Sequence, residues 1–191
     1  MKHTSGLVIT LAAIWVFSAC ATLEPRAKDE TPTKVNVSEI SAGYALLYDL
    51  VSKEKQSSLL SIMKKESPEL KSLLERISET SKATAKELET LARLHPPLNL
   101  KATHLPRIEQ AARESIDKET SKEILHSKGA DLEFHMVSSQ LAAMNYAAHL
   151  ARSLAVAETN PLRKDFLQRT DRKYSELHAQ VYKMLFSRYQ R

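Results

Sequence analysis

The chain has 191 residues, of which 42% are hydrophobic, and it carries one cysteine, one tryptophan and a formal net charge of +5. A single cysteine excludes a disulfide framework and a cysteine-ligated metal centre, and no basic stretch has the density or aromatic interleaving of a nucleic-acid surface. Three glycines, few aromatics and an abundance of Ala, Leu, Lys, Glu and Ser, with no sustained period-2 alternation, point to an all-α fold.

The first element is a short apolar run. Lys2 precedes it, residues 7–17 are apolar except for Thr10, and small residues follow at Ser18 and Ala19. A charged start, a hydrophobic middle and a small-residue exit make a secretory signal, and the run is shorter than the roughly 20 apolar residues of a spanning helix. The stretch Phe17-Ser18-Ala19-Cys20 resembles the lipobox of bacterial lipoproteins. The resemblance implies that Cys20 is acylated, that residues 1–19 are removed as a signal peptide, and that the mature chain meets the membrane through a lipid anchor on Cys20. In that family a residue other than Asp after the cysteine directs the protein to the outer membrane, and Ala21 stands there. The implied location is the bacterial cell envelope, at the outer membrane facing the periplasm where the host is diderm. Since Cys20 is the only cysteine, the domain beyond it holds no thiol, which suits an oxidising compartment.

Residues 20–37 are polar, include Pro25 and Pro32 and show no apolar period. They read as a lipidated, flexible tether whose root-mean-square span as a coil is about 20–25 Å. A helical-bundle domain is expected over residues 38–191, with Ser38 as the first N-cap. Ile40, Tyr44, Leu47 and Val51 share one face. The polar stretch 52–58 thins that stripe before Leu59, Ile62 and Met63 resume it. One continuous helix is the first expectation, a break the second.

Ser67-Pro68 is a cap followed by proline at the first helical position. Beyond it Leu70, Leu74, Ile77, Ser81, Thr84, Leu88 and Leu91 alternate steps of four and three, a heptad seam for shallow-angle packing. Small Ser81 and Thr84 at its middle permit close approach or leave a pocket. His95-Pro96-Pro97 ends the helix. A weaker helix is expected over 106–127, with Gly129 as its stop. The most apolar helix follows over 130–157, with Phe134, Met136, Val137, Leu141, Met144, Ala147, Leu150, Ala151 and Leu154 on a wide arc. Asn160-Pro161 repeats the cap-plus-proline signal, and Phe166, Thr170, Tyr174, Leu177, Val181 and Leu185 line the last helix. The economical assembly is an antiparallel four-helix bundle with an extra, weaker connecting helix.

Charge is uneven along this framework. Residues 20–157 balance at 19 basic and 19 acidic groups, whereas residues 158–191 carry eight basic against four acidic. The excess reads as a solvated face or as weak attraction to anionic lipid headgroups or an anionic envelope polymer. For metal chemistry one constellation stands out: Glu119, Glu123 and His126 lie on one side of the weaker helix, and Glu123 to His126 is a Glu-x-x-His with N and O ligands suited to iron, manganese or zinc. Glu133 and Gln140 point into the apolar arc of the next helix, where an unpaired polar group is costly. A di-iron bundle needs two such motifs and two further glutamates, and only one motif is present. The other reading has His126 stabilising a helix C-terminus and Gln140 fixing register by an interhelical hydrogen bond. His135 and His149 are expected on the surface, His178 at the edge of the arc. There is no HExxH, no glycine-rich phosphate loop and no nucleophile elbow.

The seam of residues 68–94, the start Ser127-Lys128-Gly129-Ala130-Asp131-Leu132-Glu133-Phe134 and the closing helix 161–189 resemble the ferritin-like helical-bundle domains of unknown function found in secreted and outer-membrane bacterial proteins. The Asp-His pair that those domains carry after the first long helix is replaced by Lys64-Lys65-Glu66, which counts against inherited metal chemistry. The expectation is a lipid-anchored envelope protein that serves as a binding or scaffolding module, with an envelope protein or anionic polymer as partner, no nucleic acid and no cofactor. Two alternatives stand beside it: a ferritin-like metal-binding or oxidoreductase bundle, and a carrier of a small apolar ligand seated beside Ser81 and Thr84.

Overall fold

The computed structural model describes residues 36–56 and 67–189. The expected signal peptide 1–19, Cys20 and the tether up to residue 35 lie outside the described residues, as do Leu59, Ile62 and Met63. The described residues are all-helical and form five helices: α1 (Val37–Glu54), α2 (Pro68–Leu91), α3 (Arg107–His126), α4 (Gly129–Ala157) and α5 (Pro161–Tyr189). None of these is long and apolar enough to cross a membrane.

Each boundary has a local cause. The cap of α1 is Asn36, not Ser38. The Asn36 side chain accepts from the Ser38 amide at 3.0 Å, while Glu39 Oε2 accepts from the Asn36 amide at 2.9 Å. Asn36-Val37-Ser38-Glu39 is thus a capping box, and Ser38 falls inside the first turn. The far end of α1 is at Glu54, so the expected continuous helix stops within the polar stretch. There Ser78 Oγ of α2 donates to the Lys55 carbonyl at 2.7 Å and satisfies one acceptor that the helix leaves open. Ser67 caps α2 through its hydroxyl, and Asn160 Oδ1 accepts from the Leu162 and Arg163 amides at the start of α5.

Gly129 does not stop α3. That helix ends at His126, and Ser127 is extended rather than left-handed. Gly129 has a positive φ, +56°, and it opens α4 instead. A side chain there would be strained whatever space surrounds it.

The helices pack as a bundle. α1 packs against α2 and α4, α5 packs against the same two, and α3 lies on α4. The expected seam of α2 is buried from Leu70 to Leu88, with Leu73, Ser78 and Ala85 widening it. α4 turns Met136, Val137, Met144, Ala147 and Ala151 inward, and α5 contributes Phe166, Leu167, Tyr174, Leu177 and Val181. Each large side chain fully buried here contributes about 1.5–3 kcal/mol. Phe134 departs from the expected arc and is exposed. The two threonines within the seams are satisfied locally: Thr84 and Thr170 donate to the carbonyls of Thr80 and Phe166 one turn back, each at 2.8 Å. Where α1 meets α4, Gly43 allows the close approach, since a Cβ there would stand 2.6 Å from Leu154 Cδ2.

By contrast, α3 buries only Ile124 fully. Polar links hold it in place. Asp117 accepts from Lys53 of α1 at 2.7 Å, Arg113 lies 5.4 Å from the centre of the Tyr146 ring, and Glu123 stands 3.5 Å from His135.

Candidate functional site

The four residues with ligand character are not brought together. Glu119, Glu123 and His126 are exposed on α3, and Glu133 is half-buried on α4. His126 Nδ1 donates to the Lys122 carbonyl at 2.7 Å, as a histidine closing a helix does. Glu123 faces His135 across to α4, and Glu133 Oε1 accepts from the Ser67 amide at 2.5 Å at the start of α2. Glu133 therefore serves a helix terminus rather than the middle of the apolar arc. Among the described residues no three His, Cys, Asp or Glu side chains converge as a metal site would require. His149 is exposed and His178, at the edge of its arc, is half-buried, both as expected, whereas His135 is half-buried rather than on the surface.

Two buried polar groups of residues lie inside the bundle instead. The first joins the start of α1, the end of α2 and the turn between α4 and α5. Tyr44 donates to Glu158 Oε2 at 2.7 Å, and Glu158 Oε1 accepts from the amides of Thr159 and Asn160 at 2.9 and 2.8 Å. Arg163, only 2% exposed, spends its guanidinium on the carbonyls of Leu91, Leu94 and Pro96 at 2.6–3.2 Å. A cation on the Leu91 carbonyl suits the negative end of α2, and in the turn beyond it the carbonyls of Leu94 and Pro96 gain a donor. Burial, then the hydrogen bond to Glu158 and its charge, push the Tyr44 phenol well above its usual range.

The second group lies at the other end of α1. Burial pushes the Glu54 carboxyl up to about 7, helped by the negative charge of Asp117 and opposed by the Gln140 amide and Lys53. Gln140 is 8% exposed, and its Oε1 has no hydrogen-bond partner among the described residues. Nearby on α5 the Tyr174 hydroxyl stands 3.0 Å from Ser81 Oγ. Burial raises the Tyr174 phenol, as does the charge of Glu54, while Ser81 and Thr84 oppose. The small residues of the seam thus face the hydroxyl of Tyr174.

Among the described residues, grooves open on the outer surface. One, of about 400 Å³, runs between α4 and α5, with Arg152 and Val156 on one wall and Lys164, Asp171 and Arg172 on the other. The second, of about 180 Å³, lies between α2 and α5 beside Arg76, Glu79, Lys173 and Glu176, where the charges alternate. The basic excess of the last helix is legible in the sequence, but not that two of its cations, Lys164 and Arg172, share a groove with Arg152 of α4. Compared with family models, curated proteins and solved structures, the chain finds no match.

Proposed function

We propose that the protein is a lipid-anchored component of the bacterial envelope whose helical domain is a binding or scaffolding module. The observation that carries this reading is Phe17-Ser18-Ala19-Cys20 at the end of a short apolar run, with Cys20 the only cysteine of the chain. Acyl chains on Cys20 would supply the membrane affinity, at about 0.8 kcal/mol per buried methylene. The bundle then needs no spanning helix of its own. Ala21 after the cysteine favours the outer membrane in a diderm host.

The finer architecture in this reading is an antiparallel four-helix bundle of ferritin-like connectivity. Its support is the cross-links between helices. Tyr48 bonds Glu89 while Ser78 bonds the Lys55 carbonyl, and Arg163 reaches Leu91 while Tyr174 meets Ser81. In each pair of helices, advance along one matches retreat along the other. α3 carries the chain back between α2 and α4, as the long crossover of such bundles does.

A binding role fits the outer surface, where Lys164 and Arg172, cations with no ion pair among the described residues, line one groove with Arg152 and Val156. The test is metabolic labelling of the producing cell with palmitate, followed by the mass of the mature amino terminus. Label on the wild-type chain, lost together with membrane retention in Cys20→Ser, is the expected result. A mature chain with an unmodified Cys20 thiol would overturn the proposal.

A further inference from the structure

The groove between α4 and α5 has an unbalanced charge. Arg152 is held by Asp171 through two hydrogen bonds of 3.0 and 2.9 Å, so one carboxylate neutralises one of three cations. Asp165 is engaged by Arg169, which also pairs with Glu87 of α2 at 2.5 Å. Lys164 and Arg172 make no ion pair among the described residues and stand exposed on the same wall. Val156, 81% exposed, sits opposite them. Two unpaired cations with an exposed apolar side chain between helices match the level of a bilayer where phosphates meet the first methylenes.

Position supplies the second argument. Val156 lies between Leu154, which packs against Gly43, and Glu158, which bonds Tyr44. The groove is therefore at the end of the bundle where the described chain begins, at Asn36. The residues between Cys20 and Asn36 span at most about 50–60 Å when fully extended. A bilayer holding an acylated Cys20 is within reach of this end of the domain.

We propose that the groove of Arg152, Val156, Lys164 and Arg172 docks the domain on the anionic phospholipid headgroups of the bilayer that carries its anchor. The inference rests on the lipid-anchor reading for where the bilayer lies. Arg172 offers a planar fork to phosphate oxygens and Lys164 a point charge. Two or three such groups orient a domain that is already tethered and would not recruit it alone.

The experiment attaches the full chain to vesicles through Cys20, by its native acyl chains or, for an unmodified thiol, by a maleimide-headgroup lipid. Phosphatidylcholine vesicles are compared with vesicles containing about one third phosphatidylglycerol, and lysine acetylation is read by mass spectrometry. Modification of Lys164 is expected to slow about fivefold on the anionic vesicles and to recover in about 0.5 M salt. Lys82 and Lys86, exposed on α2, should keep their rates. Arg172→Glu should abolish the protection of Lys164, and Lys82→Glu should leave it intact. Equal rates at Lys164 on the two kinds of vesicle would overturn the proposal, and so would equal slowing at Lys82 and Lys86. Protection by a soluble acidic glycan with none from phosphatidylglycerol would also overturn it, making the groove a polymer site. An unmodified native Cys20 would sink the anchor reading while the maleimide arm still decides the groove.

Discussion

The two buried polar groups of this bundle are built from similar residues and end in opposite states. Around Glu158 both carboxylate oxygens have donors and the neighbouring Arg163 has three carbonyl partners. Around Glu54 the carboxyl is pushed towards its neutral form, and the Gln140 oxygen beside it is unpartnered. The difference lies in what the backbone offers. At the first group two chain reversals, 92–97 and 158–160, present amides and carbonyls that no helix uses. At the second, Glu54 closes α1, and the backbone groups left open at that end of a helix are carbonyls, acceptors that a carboxylate cannot use. Charge is tolerated inside where a chain end supplies partners of the right sense, amides for a carboxylate and carbonyls for a guanidinium, and it is a liability where the end supplies the wrong one.

The strongest way to break the comparison is to empty the saturated group. Arg163→Met keeps the apolar stem and removes the donor from the Leu94 and Pro96 carbonyls, which lie beside a buried side chain. Hydrogen bonds from a charged donor to groups left buried are worth enough that the expected loss is about 3–5 kcal/mol. Urea unfolding with an unchanged m-value would measure it. A loss below about 1 kcal/mol would mean that water replaces the guanidinium, and the contrast with Glu54 would collapse.

The second test acts on the under-satisfied group and has the opposite sign. The folded state raises the Glu54 carboxyl from 4.5 to about 7, so it holds a proton that the unfolded chain has released. This group therefore costs no stability below about pH 4.5, and its penalty grows as the pH rises through 7. Glu54→Gln should gain about 1–3 kcal/mol at pH 8, discounted for a half-buried group, and little at pH 4.5. Parallel denaturant titrations at the two pH values check it. A gain equal at both would assign the effect to packing instead of charge.

The contrast also marks where the sequence was legible. Ser67-Pro68, Asn160-Pro161 and the leucine seam are local or periodic signals, and each lies where it was expected. Asn36 with Glu39 was equally local, but Ser38 two residues on offered a competing cap. Gly129 carries the signal of a stop because left-handed glycine so commonly ends a helix, whereas here only Ser127 and Lys128 separate one helix from the next and the glycine falls on the second. Arg163 was hidden for a different reason. Its partners are some 70 residues away, and by composition it is one of seven basic groups on an amphipathic helix. Glu54 was likewise masked by the polar stretch 52–58. Gln140 announced itself as a polar residue in an apolar arc, yet pattern alone could not say whether a partner met it.

That last residue yields the smallest and most discriminating effect. The nitrogen of Gln140 makes the interhelical hydrogen bond expected of it, to Glu54 of α1, and so supports the charged form of that carboxyl, while its oxygen stands unpartnered. Gln140→Met removes both, and the two consequences oppose each other. Relief of the desolvated oxygen favours the variant by about 1 kcal/mol. Loss of support for the carboxylate disfavours it only where Glu54 is ionised. The variant should be about 1 kcal/mol more stable than wild type at pH 4.5 and within about 0.5 kcal/mol of it at pH 8. In a Glu54→Gln background the pH dependence of the substitution should vanish, since no carboxylate remains to be supported. A double-mutant cycle run at both pH values isolates that coupling. A pH-independent loss in both backgrounds would place Gln140 with Arg163, as a satisfied interior group, and erase the distinction between the two ends of the bundle.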